Sequence, residues 1–175
     1  MDKKIERYET KIKRLREWKS GNPQGPVSIH LDTTNRCNQE CVFCWQRSHE
    51  RKGWIDYDNE LSEEKLLDIV DEAADLGVVH WLLSGGGEPM LRKETTINVM
   101  EKIKEHDMHG DIITNGTLFN EDYIERLVRC GWDRVRFSIN GPRADVHDML
   151  VGRENAFEEA IKSIISFNKY KRKYL

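Results

Sequence analysis

At 175 residues the chain has the size of one domain with a sizeable core. Hydrophobic residues make up 38% and charged residues 34%, with a net charge of −3 and a pI of about 6.1; without a basic excess, nucleic acid is not the default partner. No apolar run approaches a membrane span and Met1 to Arg7 lack the apolar stretch of a signal peptide, so a cytoplasmic protein with reduced thiols is expected.

Lys3 to Lys19 places Ile5, Tyr8, Ile12, Leu15 and Trp18 at spacings of three and four among many basic residues, which predicts an amphipathic helix docked on the domain. Gly21, Pro23, Gly25 and Pro26 stop it, dividing the chain into a helix and linker over 1–22 and a core over 23–175. Val27 to Asp32 reads as a strand, followed by a cysteine-bearing loop and the polar segment Gln46 to Glu60. A helix then starts at an N-cap, Ser62, with Glu63 and Glu64 in its first turn and Leu61 stapled onto Leu66, and it stops before Gly77. Val78 to Ser84, Asp111 to Thr114 and Arg134 to Ile139 read as the remaining strands. Helices fill Lys93 to His106 and the segment from Asn120, where Phe119 and Ile124 form the staple. The last helix opens at a capping box, Asn155 with Glu158, and turns Phe157, Ile161, Ile164 and Ile165 inward.

Four successive βα units imply a parallel sheet. Val135, Phe137 and Ile139 share one side of the last strand and Arg136, Ser138 and Asn140 the other, while Val27, Ile29 and Leu31 oppose Ser28, His30 and Asp32 in the first. Strands of a doubly wound sheet are apolar on both faces, so a polar second face points to a curved sheet around a wet lumen, a partial TIM-type barrel of α/β class. The loops after the strands, where such folds place their sites, carry every conspicuous motif.

Cys37, Cys41 and Cys44 are spaced three residues and then two. Thiolates suit iron-sulfur clusters and zinc, and three protein cysteines on a four-iron cluster leave one iron open to a small molecule. Cys130 reads as a small buried hydrophobe rather than a fourth ligand, and His49 offers the alternative of a Cys3His zinc site. Ser84-Gly85-Gly86-Gly87-Glu88-Pro89 lacks the lysine of a phosphate loop and the spacing of a dinucleotide fingerprint, and Glu88 is suited to meet a ligand ammonium. His30, His80, Asp32 and Arg136 are candidates to line a substrate space, with a structural role the better reading of each histidine.

Cys37-x3-Cys41-x2-Cys44 after the first strand, Gly86-Gly87-Glu88-Pro89 after the second, Thr114-Asn115-Gly116 after the third and Ser138-Ile139-Asn140-Gly141 at the fourth resemble the radical S-adenosylmethionine (radical SAM) enzymes, from about Pro26 to Phe167. The resemblance implies that Cys37, Cys41 and Cys44 bind three irons of a [4Fe-4S] cluster and that S-adenosylmethionine chelates the fourth. It also implies that Gly86, Gly87 and Glu88 hold the methionyl ammonium and that Phe43 lies next to the adenine. Ser138 and Asn140 would reach the ribose or carboxylate; Arg153 would pair with that carboxylate or sit on the surface at the start of the last helix. The implied activity is that of an oxidoreductase or maturase making a 5′-deoxyadenosyl radical, served by an electron donor such as a flavodoxin or ferredoxin and acting on a peptide or a small metabolite.

The family usually builds six βα units and this chain shows four, so a truncated chain or a half completed by a partner is expected. Asn140 stands where many relatives carry Asp. A zinc-binding domain or a non-catalytic scaffold is the competing reading.

Overall fold

The computed structural model describes residues 3–47 and 55–174; His49 lies outside them. Among the described residues six α-helices and four strands run in the order α1 (Lys3–Lys19), β1 (Ser28–Leu31), α2 (Glu63–Asp75), β2 (His80–Leu83), α3 (Lys93–Glu105), β3 (His109–Thr114), α4 (Glu121–Arg129), β4 (Arg134–Phe137), α5 (Ala144–Val151) and α6 (Ala156–Tyr174). All pairings are parallel, and the order β1-β2-β3-β4 places each strand beside its successor. That singly wound order is the barrel progression, whereas a doubly wound sheet reverses at a switch point.

The two strand faces behave as the alternation requires. Ile29, Leu31, Trp81, Leu83, Ile112 and Val135 pack against Leu66, Val70 and Ala73 of α2, Ile97, Met100 and Ile103 of α3, and Leu127 of α4. Each fully buried aliphatic side chain there contributes about 1.5–3 kcal/mol. The opposite face presents Ser28 and His30, His80, His109 and Asp111, and Arg134 and Arg136.

The local start signals work as read. Ser62 Oγ accepts from Lys65 N at 3.2 Å, Asn120 Oδ1 accepts from Tyr123 N at 2.9 Å, and Gly77 takes φ +72° beyond α2. Elsewhere tertiary contacts override the local pattern. β3 begins two residues earlier than expected, because the Trp132 ring occupies the place of a Gly110 side chain and closes the gap that a glycine would leave in a strand.

Asn155, the expected cap of α6, adopts φ +60°, and the first turn is instead capped by Asp148, which accepts from Phe157 N at 2.9 Å. Asp148 belongs to α5, a two-turn helix not visible in the periodicity. The buried side of α6 is Ala156, Ala160, Ser163 and Tyr170, with Phe167 against the core; Ile165 is 62% exposed rather than inward.

α1 docks differently from expectation. Tyr8, Ile12, Leu15 and Trp18 remain 49–59% exposed, and the Ile5 side chain lies outside the described set. The attachment runs through Arg14, whose guanidinium donates to Gly25 O at 2.9 Å, Pro26 O at 2.6 Å and Gly77 O at 2.5 Å.

Candidate functional site

Four loops meet at the C-terminal edge of the sheet, and the cysteine loop is the piece they share. Gly87 N donates to Thr34 O at 2.8 Å and Glu88 N to Arg36 O at 2.9 Å, which lays the segment after β2 against the start of the cysteine loop. Asn38 bridges to the loop after β3: its Nδ2 donates to Thr117 Oγ1 at 2.9 Å and its Oδ1 accepts from Asn115 Nδ2 at 2.8 Å. The far side is tied to the end of α5 by Glu40 N donating to Val151 O at 2.8 Å and Val42 N to Leu150 O at 3.0 Å. The units of β2, β3 and β4 therefore each clamp the loop that follows β1, which has no regular structure before the 3-10 turn at Trp45–Arg47.

The glycines are required by this packing. A Cβ on Gly87 would stand 1.8 Å from Arg36 O, and one on Gly86 would stand 2.2 Å from Asn35 Oδ1. Glu88 anchors the same segment from below. Its carboxylate is 3% exposed and accepts from Met90 N at 3.1 Å, Thr114 Oγ1 at 2.6 Å and Asn115 N at 2.7 Å. Burial pushes its pKa up, and the bonds from Asn115, Thr114 and Met90 pull against that. The side chain expected to face a ligand is thus turned into the protein, leaving the backbone of Gly86 and Gly87 on the loop side.

Cys37 is exposed and Cys41 and Cys44 are half-buried, all as free thiols. Although the Cys37 residue is exposed overall, desolvation of its sulfur raises its pKa, a bond from the Gln39 backbone opposes the rise and Glu88 and Cys44 add to it; desolvation, Cys37 and Cys44 raise that of Cys41. Among the described residues only His80, His109 and Asp111 bring three potential ligand atoms within 4.8 Å of one another, so the thiols are spread more widely than that. A single tetrahedral zinc, with Zn–S of about 2.3 Å, would hold its sulfurs about 3.8 Å apart. Inside the loop Gln39 Nε2 is buried without a hydrogen-bond partner.

The remaining predicted positions lie at the rim. Ser138 follows β4 and donates its N–H to Thr114 O at 2.9 Å; Asn140 N donates to His147 Nδ1 at 3.0 Å. Phe43 is 58% exposed beside Val42 and Trp45. Arg153 pairs with Glu159, Nη2 to Oε2 at 2.7 Å, while its Nη1 is buried without a hydrogen-bond partner. His30 Nε2 bonds Ser84 O at 2.9 Å and lies 3.6 Å from Asp32 Oδ1, a structural placement. Asn38 and Thr117, which form an amide hub with Asn115 of the Thr114-Asn115-Gly116 motif, escape sequence reading because an asparagine and a threonine in polar loops carry no spacing signal.

A wider comparison places the chain. The radical SAM superfamily matches residues 31–174, and the chain belongs to that superfamily. It is 32% identical over 138 residues to the PqqA peptide cyclase of Granulibacter bethesdensis, covering 79% of this chain and 35% of that protein. It is 33% identical over 139 residues to the Fe-coproporphyrin III synthase of Methanosarcina barkeri, covering 79% and 33%. Among solved structures, Streptococcus suis SuiB bound to S-adenosylmethionine superposes with a TM-score of 0.73 at 21% identity, over 97% of this chain and 38% of that one. The chain thus spans about a third of the length of these curated relatives.

Proposed function

We propose that this chain carries the cofactor-binding part of a radical SAM enzyme, with Cys37, Cys41 and Cys44 on three irons of a [4Fe-4S] cluster and S-adenosylmethionine on the fourth. When bound, that pair supplies one-electron reductive cleavage of the sulfonium to a 5′-deoxyadenosyl radical, which takes hydrogen from a substrate. The carrying observation is the cysteine loop held by each of the other three βα units, with the glycine segment laid directly against it.

The residues divide the work of holding. The cysteines supply soft ligands, one for each of three irons. Gly86 and Gly87 give the methionyl ammonium backbone oxygens at close range, because no side chain intervenes. Glu88 keeps those carbonyls in place by tying the segment to Thr114 and Asn115. Phe43 flanks the adenine, and Ser138 and Asn140 reach the ribose or the carboxylate. For Arg153 the pairing with Glu159 favours support of the turn between α5 and α6 over contact with the cofactor.

An external donor such as a flavodoxin or ferredoxin supplies the electron, and the substrate is a peptide or a small metabolite. Similar proteins carry names of both kinds, a peptide cyclase and a GTP 3′,8-cyclase, and one similar structure is SuiB bound to its precursor peptide SuiA.

The test is anaerobic reconstitution with iron and sulfide. The protein is expected to turn brown, bleach with dithionite and change its electron paramagnetic resonance spectrum on adding S-adenosylmethionine, while Cys41→Ala stays colourless. A colourless wild-type protein that retains zinc would refute the reading.

A further inference from the structure

Below the loops, the polar face of the sheet holds a charge cluster that the cofactor does not use. A cavity of about 360 Å³ is lined by Tyr8 and Lys11 of α1, Ser28, His80, Asp111, and Arg134 and Arg136 of β4. Three of these side chains are permanent cations and one is a carboxylate. Asp111 is 2% exposed and already satisfied: Arg136 Nη2 donates to Oδ2, and His109 Nε2 lies 3.0 Å from Oδ1. His109 is fixed in turn by Asp133, Nδ1 to Oδ1 at 3.1 Å, and Lys104 holds Asp133 at 2.7 Å.

The cations are far from spent. A guanidinium has five N–H donors. Arg136 places one on Asp111, and Arg134 approaches the same oxygen only to 3.7 Å, beyond a hydrogen bond. Their side chains are 44% and 52% exposed, and Lys11 has no ion-pair partner among the described residues. The trio of His80, His109 and Asp111 has metal-ligand composition, but two arginines on the same carboxylate oppose a cation there.

We propose that this cavity is an oxyanion subsite, in which Arg134, Arg136 and Lys11 bind a phosphate or carboxylate group. Ser28, His80 and Arg134 open β1, β2 and β4, and Arg136 lies two residues before Ser138 on the same face of the chain, so the polar face runs from this cavity toward the cysteine-loop end of the sheet. That the anion belongs to the substrate rests on the proposed function; that the cavity binds an oxyanion does not.

The cluster-free 175-residue protein, labelled with nitrogen-15, is titrated with inorganic phosphate and separately with acetate at constant ionic strength. Saturable shifts are expected in the Arg134 and Arg136 Nε–H resonances and none in Arg143, which is paired with Asp145. Arg134→Gln, which leaves the Arg136–Asp111 pair intact, should weaken binding by about threefold or more and Lys11→Gln somewhat less. Tighter binding of phosphate indicates a phosphorylated ligand, and tighter or equal binding of acetate a carboxylate. Unsaturable shifts with both anions, unchanged binding in Arg134→Gln, or a zinc site that His80→Ala removes would overturn the proposal. Cluster loading is read on separate samples, so failure of the cofactor assignment shows independently.

Discussion

Asn115 N donates to Glu88 Oε2 at 2.7 Å, joining the loops after β3 and β2 through a carboxylate that solvent does not reach. Removing it leaves three donors, Asn115 N, Thr114 Oγ1 and Met90 N, without their acceptor. Glu88→Ala is expected to cost about 3 kcal/mol of stability before any cofactor is bound, and Glu88→Gln about half that, because the amide keeps one acceptor. Urea unfolding of the cluster-free protein measures both. An unchanged midpoint in Glu88→Ala would mean that the carboxylate serves only the ligand.

Gly87 is the closest approach between the glycine segment and the cysteine loop, so Gly87→Ala should push the two apart. Iron retained after reconstitution is expected to fall several-fold while far-ultraviolet circular dichroism stays native. Gly131→Ala is the control: φ there is also positive, +75°, but nothing lies within 4 Å, so it should cost only about 1 kcal/mol of strain and spare the cluster. Equal iron loss in both variants would sink the steric argument.

Arg14 holds α1 by three bonds to backbone carbonyls, in place of the apolar stripe expected to do so. Arg14→Ala should release the helix without unfolding the sheet. Trypsin, which has many sites in α1, is expected to cut there about tenfold faster while the urea midpoint of the core moves little. Unaltered cleavage would show that other contacts carry the helix.

Acid should attack the polar face first. Burial opposes ionisation of Asp111 and Asp133, yet hydrogen bonds from Arg136 and His109 to the one, and from His109, Lys104 and Gly110 to the other, hold both carboxyls below the ordinary range. A group whose pKa is depressed by folding adds stability above its unfolded value of about 3.9 and loses it as pH falls toward the folded value. Stability is therefore expected to decline mainly below about pH 4, and Asp133→Asn should be less stable at pH 7 but flatter across that window. Urea midpoints at pH 7, 5 and 3 decide it; parallel wild-type and variant curves would count against the assignment.

The alternation of Val135 and Phe137 with Arg134 and Arg136 made the sheet and its two unlike faces readable, because a half-wet strand must alternate. Ser62 and Asn120 were readable as caps, since each acts within three residues of itself. The cysteine spacing and the glycine segment marked the site for the same reason of locality. What stayed hidden depends on distant pairing: Asn38 finds Asn115 across 77 residues, and Asp148 displaces Asn155 at the start of α6 only once α5 has folded. The inward turn of Glu88 was hidden too, because the donors that draw it in come from the loop after another strand.

The bonds that tie the cysteine loop to Gly87, Glu88, Asn38's partners, Leu150 and Val151 run between backbone groups and neutral amides or hydroxyls, whereas the lower half of the polar face is held by formal charges. Ionic strength therefore acts as a selective reagent on this molecule. Half-molar salt, which shortens electrostatic reach to about 4 Å, loosens the exposed arginines of the polar face and the Arg47–Glu40 and Arg36–Asp58 pairs of the cysteine loop, while the neutral bonds of the thiol cradle stay.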